Sequence, residues 1–175
     1  NWVKYFSLGI VLIYIMQFVG SFYKTSWRDK RWVSGYVLLA MLCSSSLIGI
    51  MKSMSVHACP WSLAQPSNAG FIWLSHAVNL GKCFPGGHSS AGFGLLALFF
   101  AYHLNAPKKA WLYLLAALVL GSGMGWTQMM RGAHFFSHNL WTLWFTWLVN
   151  VVLYLGYQSL IKYKNNRTNI QSSAE

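Results

Sequence analysis

The chain has 175 residues, a formal net charge of +11, 55% hydrophobic residues and only 9% charged ones. Soluble domains carry about a quarter charged residues, so this composition excludes an ordinary soluble fold. Asp29 and Glu175 are the only acidic residues, which leaves too few hard oxygen ligands for a Mg²⁺ or Ca²⁺ site.

The charges are clumped. They leave five spans without Lys, Arg, Asp or Glu: Tyr5–Tyr23, Trp32–Ile50, His88–Ala106, Ala110–Met130 and Asn139–Ile161. Each is near the roughly 20 residues a helix needs to cross a bilayer core. The expected fold is therefore all-α, a polytopic transmembrane bundle over residues 1–162, followed by a polar tail, 163–175, that frays.

In chain order, span one leads into the basic loop KTSWRDKR, with Lys24, Arg28, Lys30 and Arg31. Span two holds Ser44, Ser45 and Ser46, small residues suited to close helix packing. The long segment after Lys52 is interrupted by Pro60, Pro66 and Pro85 and loosened by Gly81, Gly86 and Gly87. Within it, GFIWLSHAV reads as a short interfacial helix. Span three, rich in small residues, ends at the loop NAPKKA with Lys108 and Lys109. Spans four and five flank a short turn around Arg131. Trp and Tyr in span five suit interface anchoring, and Lys162, Lys164 and Arg167 follow it.

Five crossings put all three basic regions on one side, which the positive-inside rule makes cytoplasmic. The excess of cations is thus a topology signal, and nucleic acid is not an expected partner. One upstream helix is expected before residue 1, because span one otherwise begins on the outer side.

The outer side receives three polar clusters. The first is KSMSVHACP, from Lys52 to Pro60. Alone, Lys52 reads as a lysine that snorkels at a helix end; the functional reading is a point charge over a bound anion. The second is GKCFPGGHSSAGF, residues 81–93. A tight turn at Pro85-Gly86-Gly87 opening a helix offers backbone N–H groups to an anion, beside Lys82, His88, Ser89 and Ser90. The third is QMMRGAHFFSH, residues 128–138. Arg131 can fork onto phosphate oxygens. His134 and His138 are four apart, the spacing of one helix face. They read as a nucleophile and its orienting partner, as a metal pair completed by His88, His57 or Cys83, or as wet helix-end groups.

These clusters resemble the signature of the type 2 phosphatidic acid phosphatase (PAP2) superfamily: Lys-x6-Arg-Pro, Pro-Ser-Gly-His, then Ser-Arg-x5-His-x3-Asp. Lys52 is followed after six residues by Cys59-Pro60, and Pro85-Gly86-Gly87-His88 has Gly86 for serine. His134 takes the nucleophile's place, Gln128 an arginine's and His138 the aspartate's. HACPW, KCFPGGH and RGAHFFSH resemble a bacterial membrane branch of that superfamily.

The resemblance implies a lipid phosphatase of the bacterial inner membrane whose site faces the periplasm. Its catalytic segments are 52–88 and 128–138. His134 forms a phosphohistidine, and His88 protonates the leaving alcohol. His138 accepts the Nδ1–H bond of His134. Lys52, Lys82, Arg131, Gln128, Ser89 and the N–H groups near Gly86 and Gly87 hold the phosphate. No cofactor and no metal are expected. Phosphatidic acid, phosphatidylglycerophosphate, a polyprenyl pyrophosphate and lipid A are candidate substrates. Transfer to a second lipid, and a transporter or lipid-binding protein, are the competing readings. Cys59 and Cys83 both fall on the outer side, where a bridge between them can persist; Cys43 lies within span two.

Overall fold

The structure, a computed structural model, describes residues 2–67, 70–73 and 81–172. Its long helices are α1 (Trp2–Tyr23), α2 (Arg31–Met54), α6 (Pro107–Met130) and α7 (Phe136–Ser172). Shorter ones are α3 (Pro60–Leu63), α4 (Ser89–Phe93) and α5 (Leu96–Tyr102). A 3₁₀ turn, Thr25–Lys30, joins α1 to α2.

Every charge-free span is helical for most of its length, but not all five are shown as membrane-spanning. Among the described residues, three helices are long and apolar enough to cross a bilayer: Arg31–Met54, Pro107–Met130 and Phe136–Tyr163. Ser7–Tyr23 and Ser89–Tyr102 are shorter apolar helices. The second is interrupted at Gly94 and Leu95, where Leu95 N–H donates to Gly92 O (3.2 Å) and Ala97 N–H to Gly94 O (3.2 Å). These i to i−3 bonds tighten the turn without ending the helical path. Exposed Leu12, Ile13, Met16, Trp111, Leu115 and Val119 give the bundle an apolar exterior, as expected where lipid replaces water. The protein is membrane-associated.

Two expectations need correction. GFIWLSHAV does not begin as a helix. Gly70–Trp73 forms strand β2, antiparallel to β1 (Ala64–Ser67), with Ala64 opposite Trp73 and Ser67 opposite Gly70. Pro66 is tolerated because a two-stranded ribbon consists of edges, and Phe, Ile and Trp favour extended backbone. The remainder of that stretch, 74–78, lies outside the described residues. The polar tail also does not end the last helix at residue 162: α7 runs on to Ser172.

The core joins α2, α5 and α6 through Val37, Ala40, Leu95 to Leu98 and Ala117, with Tyr14 and Tyr36 at its edge. Helices α4 and α6 cross in near backbone contact. A Cβ on Gly92 would lie 2.4 Å from Gly121 N, so only glycine fits there. Helices α2 and α7 run antiparallel. Tyr36 O–H donates to Asn150 O (3.1 Å) near one end, and Trp32 meets Tyr157 (6.5 Å between centroids). Down α7, Thr142, Thr146 and Asn150 are fully buried. Each bonds the carbonyl four residues earlier at 2.8 Å, so this seam is satisfied within the helix.

Candidate active site

At the end of the bundle opposite the 24–31 loop, the segments 52–88 and 128–138 meet. Trp61 N–H donates to Gly132 O (2.9 Å), Cys83 N–H to His57 O (3.2 Å) and Gly86 N–H to His138 O (3.2 Å). A disulfide joins Cys59 to Cys83, with Cα atoms 5.3 Å apart and a sequence separation of 24.

Helix α6 stops by a Schellman closure. Gly132 adopts φ +65°; its N–H donates to Met129 O (2.8 Å), and Ala133 N–H to Gln128 O (2.9 Å). Gly132 is the residue type this left-handed position demands. The closure turns the chain so that His134 falls between α6 and α7. His138 lies in the first turn of α7, its N–H donating to Phe135 O (3.1 Å). The i, i+4 spacing therefore does not stack the two rings on one helix. Their centroids are 5.9 Å apart at 66°, and no hydrogen bond joins them, contrary to the expected Nδ1–H bond. Both side chains are buried, and the Nδ1 atom of each has no hydrogen-bond partner among the described residues. Phe84 and Phe135 wedge the His138 ring, each with centroid 5.4 Å away.

Lys52, in the last turn of α2, lies along the Gly86–His88 turn: a Cβ on Gly87 would sit 3.8 Å from its Nζ. Burial pushes the His134 imidazole down from 6.5 to about 4. The Lys52 charge adds to the shift, as do His138 and His88, while the Cys83 backbone acceptor opposes it. His134 is thus neutral at physiological pH, with a lone pair to donate.

The remaining expected phosphate ligands are placed differently. Gly86 N–H is occupied by the His138 carbonyl, which leaves Gly87 as the donor of that pair. Ser89 is buried and its hydroxyl donates to Gly86 O (2.7 Å); Ser90 does the same to Gly87 O (2.7 Å). These hydroxyls shape the turn. Helix α4 has only five residues, so few peptide dipoles add up behind it. Gln128 is buried at the end of α6. Lys82 and Arg131 are exposed, with no hydrogen bond or ion pair to described residues. Lys52, not either of these, is the cation that acts on His134.

Among the described residues no group of three His, Cys, Asp or Glu is arranged to hold a metal, and Cys83 is taken by the disulfide. Two site residues were not singled out by motif. His57 lies 6.2 Å from His138 and 5.3 Å from Phe84, ring to ring; from sequence it stands only as a metal-ligand candidate. Asn139 is buried beside Ser89. Its signal was an amide next to a site histidine at the mouth of an otherwise apolar helix.

The fold and site define a class: a helical membrane-associated protein that presents a buried neutral histidine, a second histidine and a lysine at one end of its bundle. The family profile of the PAP2 superfamily matches residues 33–162, and the chain belongs to that superfamily. Its members are phosphatases, which supports a phosphoric ester hydrolase. No curated protein and no solved structure matches the chain.

Proposed function

We propose that the protein removes phosphate from a lipid phosphate or pyrophosphate at the periplasmic face of a bacterial inner membrane, as a multi-pass enzyme. The observation that carries this reading is the convergence of neutral His134 with Lys52 and the Gly86–His88 turn.

In the first step a ring nitrogen of His134 attacks phosphorus in line. The bond to the leaving oxygen breaks, and His88 supplies a proton to the departing group, an alkoxide from a phosphate monoester or the lipid phosphate from a pyrophosphate. In the second step water attacks the phosphohistidine, His88 takes the water's proton, and inorganic phosphate leaves. Lys52 and Gly87 N–H offset the charge on the equatorial oxygens, which is where catalysis of phosphoryl transfer chiefly acts. Lys82 and Arg131, exposed at the rim, attract the anionic headgroup before it docks. His138 orients the nucleophile by packing, since it carries no negative charge to share.

Purified protein in detergent tests this against phosphatidic acid, phosphatidylglycerophosphate, a polyprenyl pyrophosphate and lipid A. Phosphate release from at least one, lost in His134→Ala, with an acid-labile phosphoryl label on the wild type, is the expected result. Label passing to an added lipid alcohol in preference to water would make the enzyme a phosphotransferase. No turnover and no label with any of the four would point to a transporter or lipid-binding protein.

A further inference from the structure

Gly86 is the hub of the turn that carries His88. Its N–H donates to His138 O. Its carbonyl accepts from Ser89 Oγ (2.7 Å), and Thr142 Oγ1, whose one proton goes to His138 O at 2.8 Å, lies 3.2 Å from it. One residue therefore ties the turn to the first turn of α7. The side chain of Asn139, from that same turn of α7, fills the space between Gly86 and Gly125 of α6. It is 6% exposed, with Oδ1 3.2 Å from Ser89 Oγ. A Cβ on Gly86 would lie 2.5 Å from Asn139 Oδ1, and a Cβ on Gly125 of α6 would lie 2.7 Å from its Cγ. Two glycines on separate elements thus leave room for one amide.

The hydrogen bonding around that amide is directional. Ser89 Oγ has a single proton and two acceptors in reach, Gly86 O and Asn139 Oδ1, while Asn139 Nδ2 is buried without a partner among the described residues. Rotating the amide by half a turn exchanges its oxygen and nitrogen with no change of shape. Nδ2 then donates to Ser89 Oγ, and Ser89 donates on to Gly86 O. This orientation gives Nδ2 an acceptor and makes a chain from α7 to the turn.

We propose that Asn139 is a positioning residue, whose amide locks the Gly86–His88 turn against α7 and so sets His88 and Gly87 relative to Lys52 and His134. It rests on the phosphoryl-transfer reading above. Asn139 touches no reacting atom in this scheme; it acts through Ser89 and Gly86. Displacing a catalytic group by about 1 Å is enough to cost roughly 10²-fold in rate.

The test compares four proteins in detergent: wild type, Asn139→Ala, Gly86→Ser and the double variant. Each single change is expected to lower kcat about 10- to 100-fold with KM little altered. The first removes the lock; the second drives a Cβ into it. In the double variant the serine enters the volume the amide vacates and bonds Ser89 in its place, so kcat recovers well above the product of the two losses. Losses that multiply in the double variant, or wild-type kcat in Asn139→Ala, would overturn the proposal. Thermal unfolding of the same four proteins separates positioning from packing: coupled melting temperatures with unchanged kcat throughout would also overturn it. Absence of phosphate release by the wild type would sink the proposed function instead. Orthovanadate binding, followed by tryptophan fluorescence, then replaces kcat as the readout, and the same pattern of single losses and double recovery is required.

Discussion

A neutral imidazole is the form of histidine that can attack phosphorus, and burial keeps His134 in that form. Its folded value of about 4 lies below the ordinary 6.5. Between these values the unfolded chain takes up a proton that the folded protein refuses. His134 therefore weakens folding progressively as pH falls from about 6.5 to about 4, and has no such effect above that window. In ¹⁵N-histidine spectra of the detergent-solubilised protein, the resonance missing from His134→Ala should stay neutral down to about pH 5. Lys52→Met removes one cause of the depression and should move that titration upward, while leaving it below the ordinary value, because burial is the larger cause. An unchanged titration in Lys52→Met would separate the two residues. His138→Ala should lose less turnover than His134→Ala, roughly 10²-fold against near-complete loss, since it removes a neighbour and not the atom proposed to attack. Lys52, His88, His134 and His138 were legible in the sequence because each sits at a fixed offset in a motif. The roles of Ser89, Lys82 and Arg131 were not, because whether a hydroxyl faces an anion or a carbonyl depends on the backbone across from it.

At the level of elements, two close approaches bear on stability. The crossing of α4 and α6 is set by backbone meeting backbone at Gly92 and Gly121. Gly92→Ala places a methyl where nothing flexible can yield, and should cost about 1–3 kcal/mol. A lowered melting temperature in detergent checks this, with Gly123→Ala as control, since a Cβ there meets nothing within 4 Å. The Cys59–Cys83 bridge closes a loop across the segment that follows α2. In chain-entropy terms it is worth roughly 3 kcal/mol. Reductant should therefore lower the melting temperature of the wild type by several degrees and leave Cys59→Ser/Cys83→Ser, already lowered, unmoved. Equal stability with and without reductant would count against that contribution. Helix positions were legible from charge-free length alone. The hairpin Ala64–Ser67 and Gly70–Trp73 was not, because a short apolar run beside a proline suits either a strand or an interfacial helix until its pairing partner is known.

For the molecule as a whole, the placement of Lys24, Arg28, Lys30, Lys108 and Lys109 at the bundle end opposite His134 predicts its orientation. Cysteines introduced singly at Lys82 and at Lys108, in a background lacking Cys43, should differ in intact cells. The first should react with an impermeant maleimide, the second only after permeabilisation. Labelling of both from outside, or of neither, would refute a periplasmic site.

Composition and charge spacing by themselves determined that this chain is a helical membrane-associated protein, because a bilayer admits few charges and demands long apolar helices. Motif spacing determined which histidines and which lysine to watch. Only the tertiary structure decided that Lys52 supplies the charge at His134, that the two histidines do not bond, and that the Asn139 side chain of α7 packs between the Gly86 turn and Gly125 of α6. For the lysine and the asparagine the physical reason is that these are contacts between groups far apart in the chain, whose distances are set by how closely glycine-lined backbones approach. For the histidines it is the Gly132 turn, which takes His134 off the helix that carries His138; spacing along one segment encodes neither.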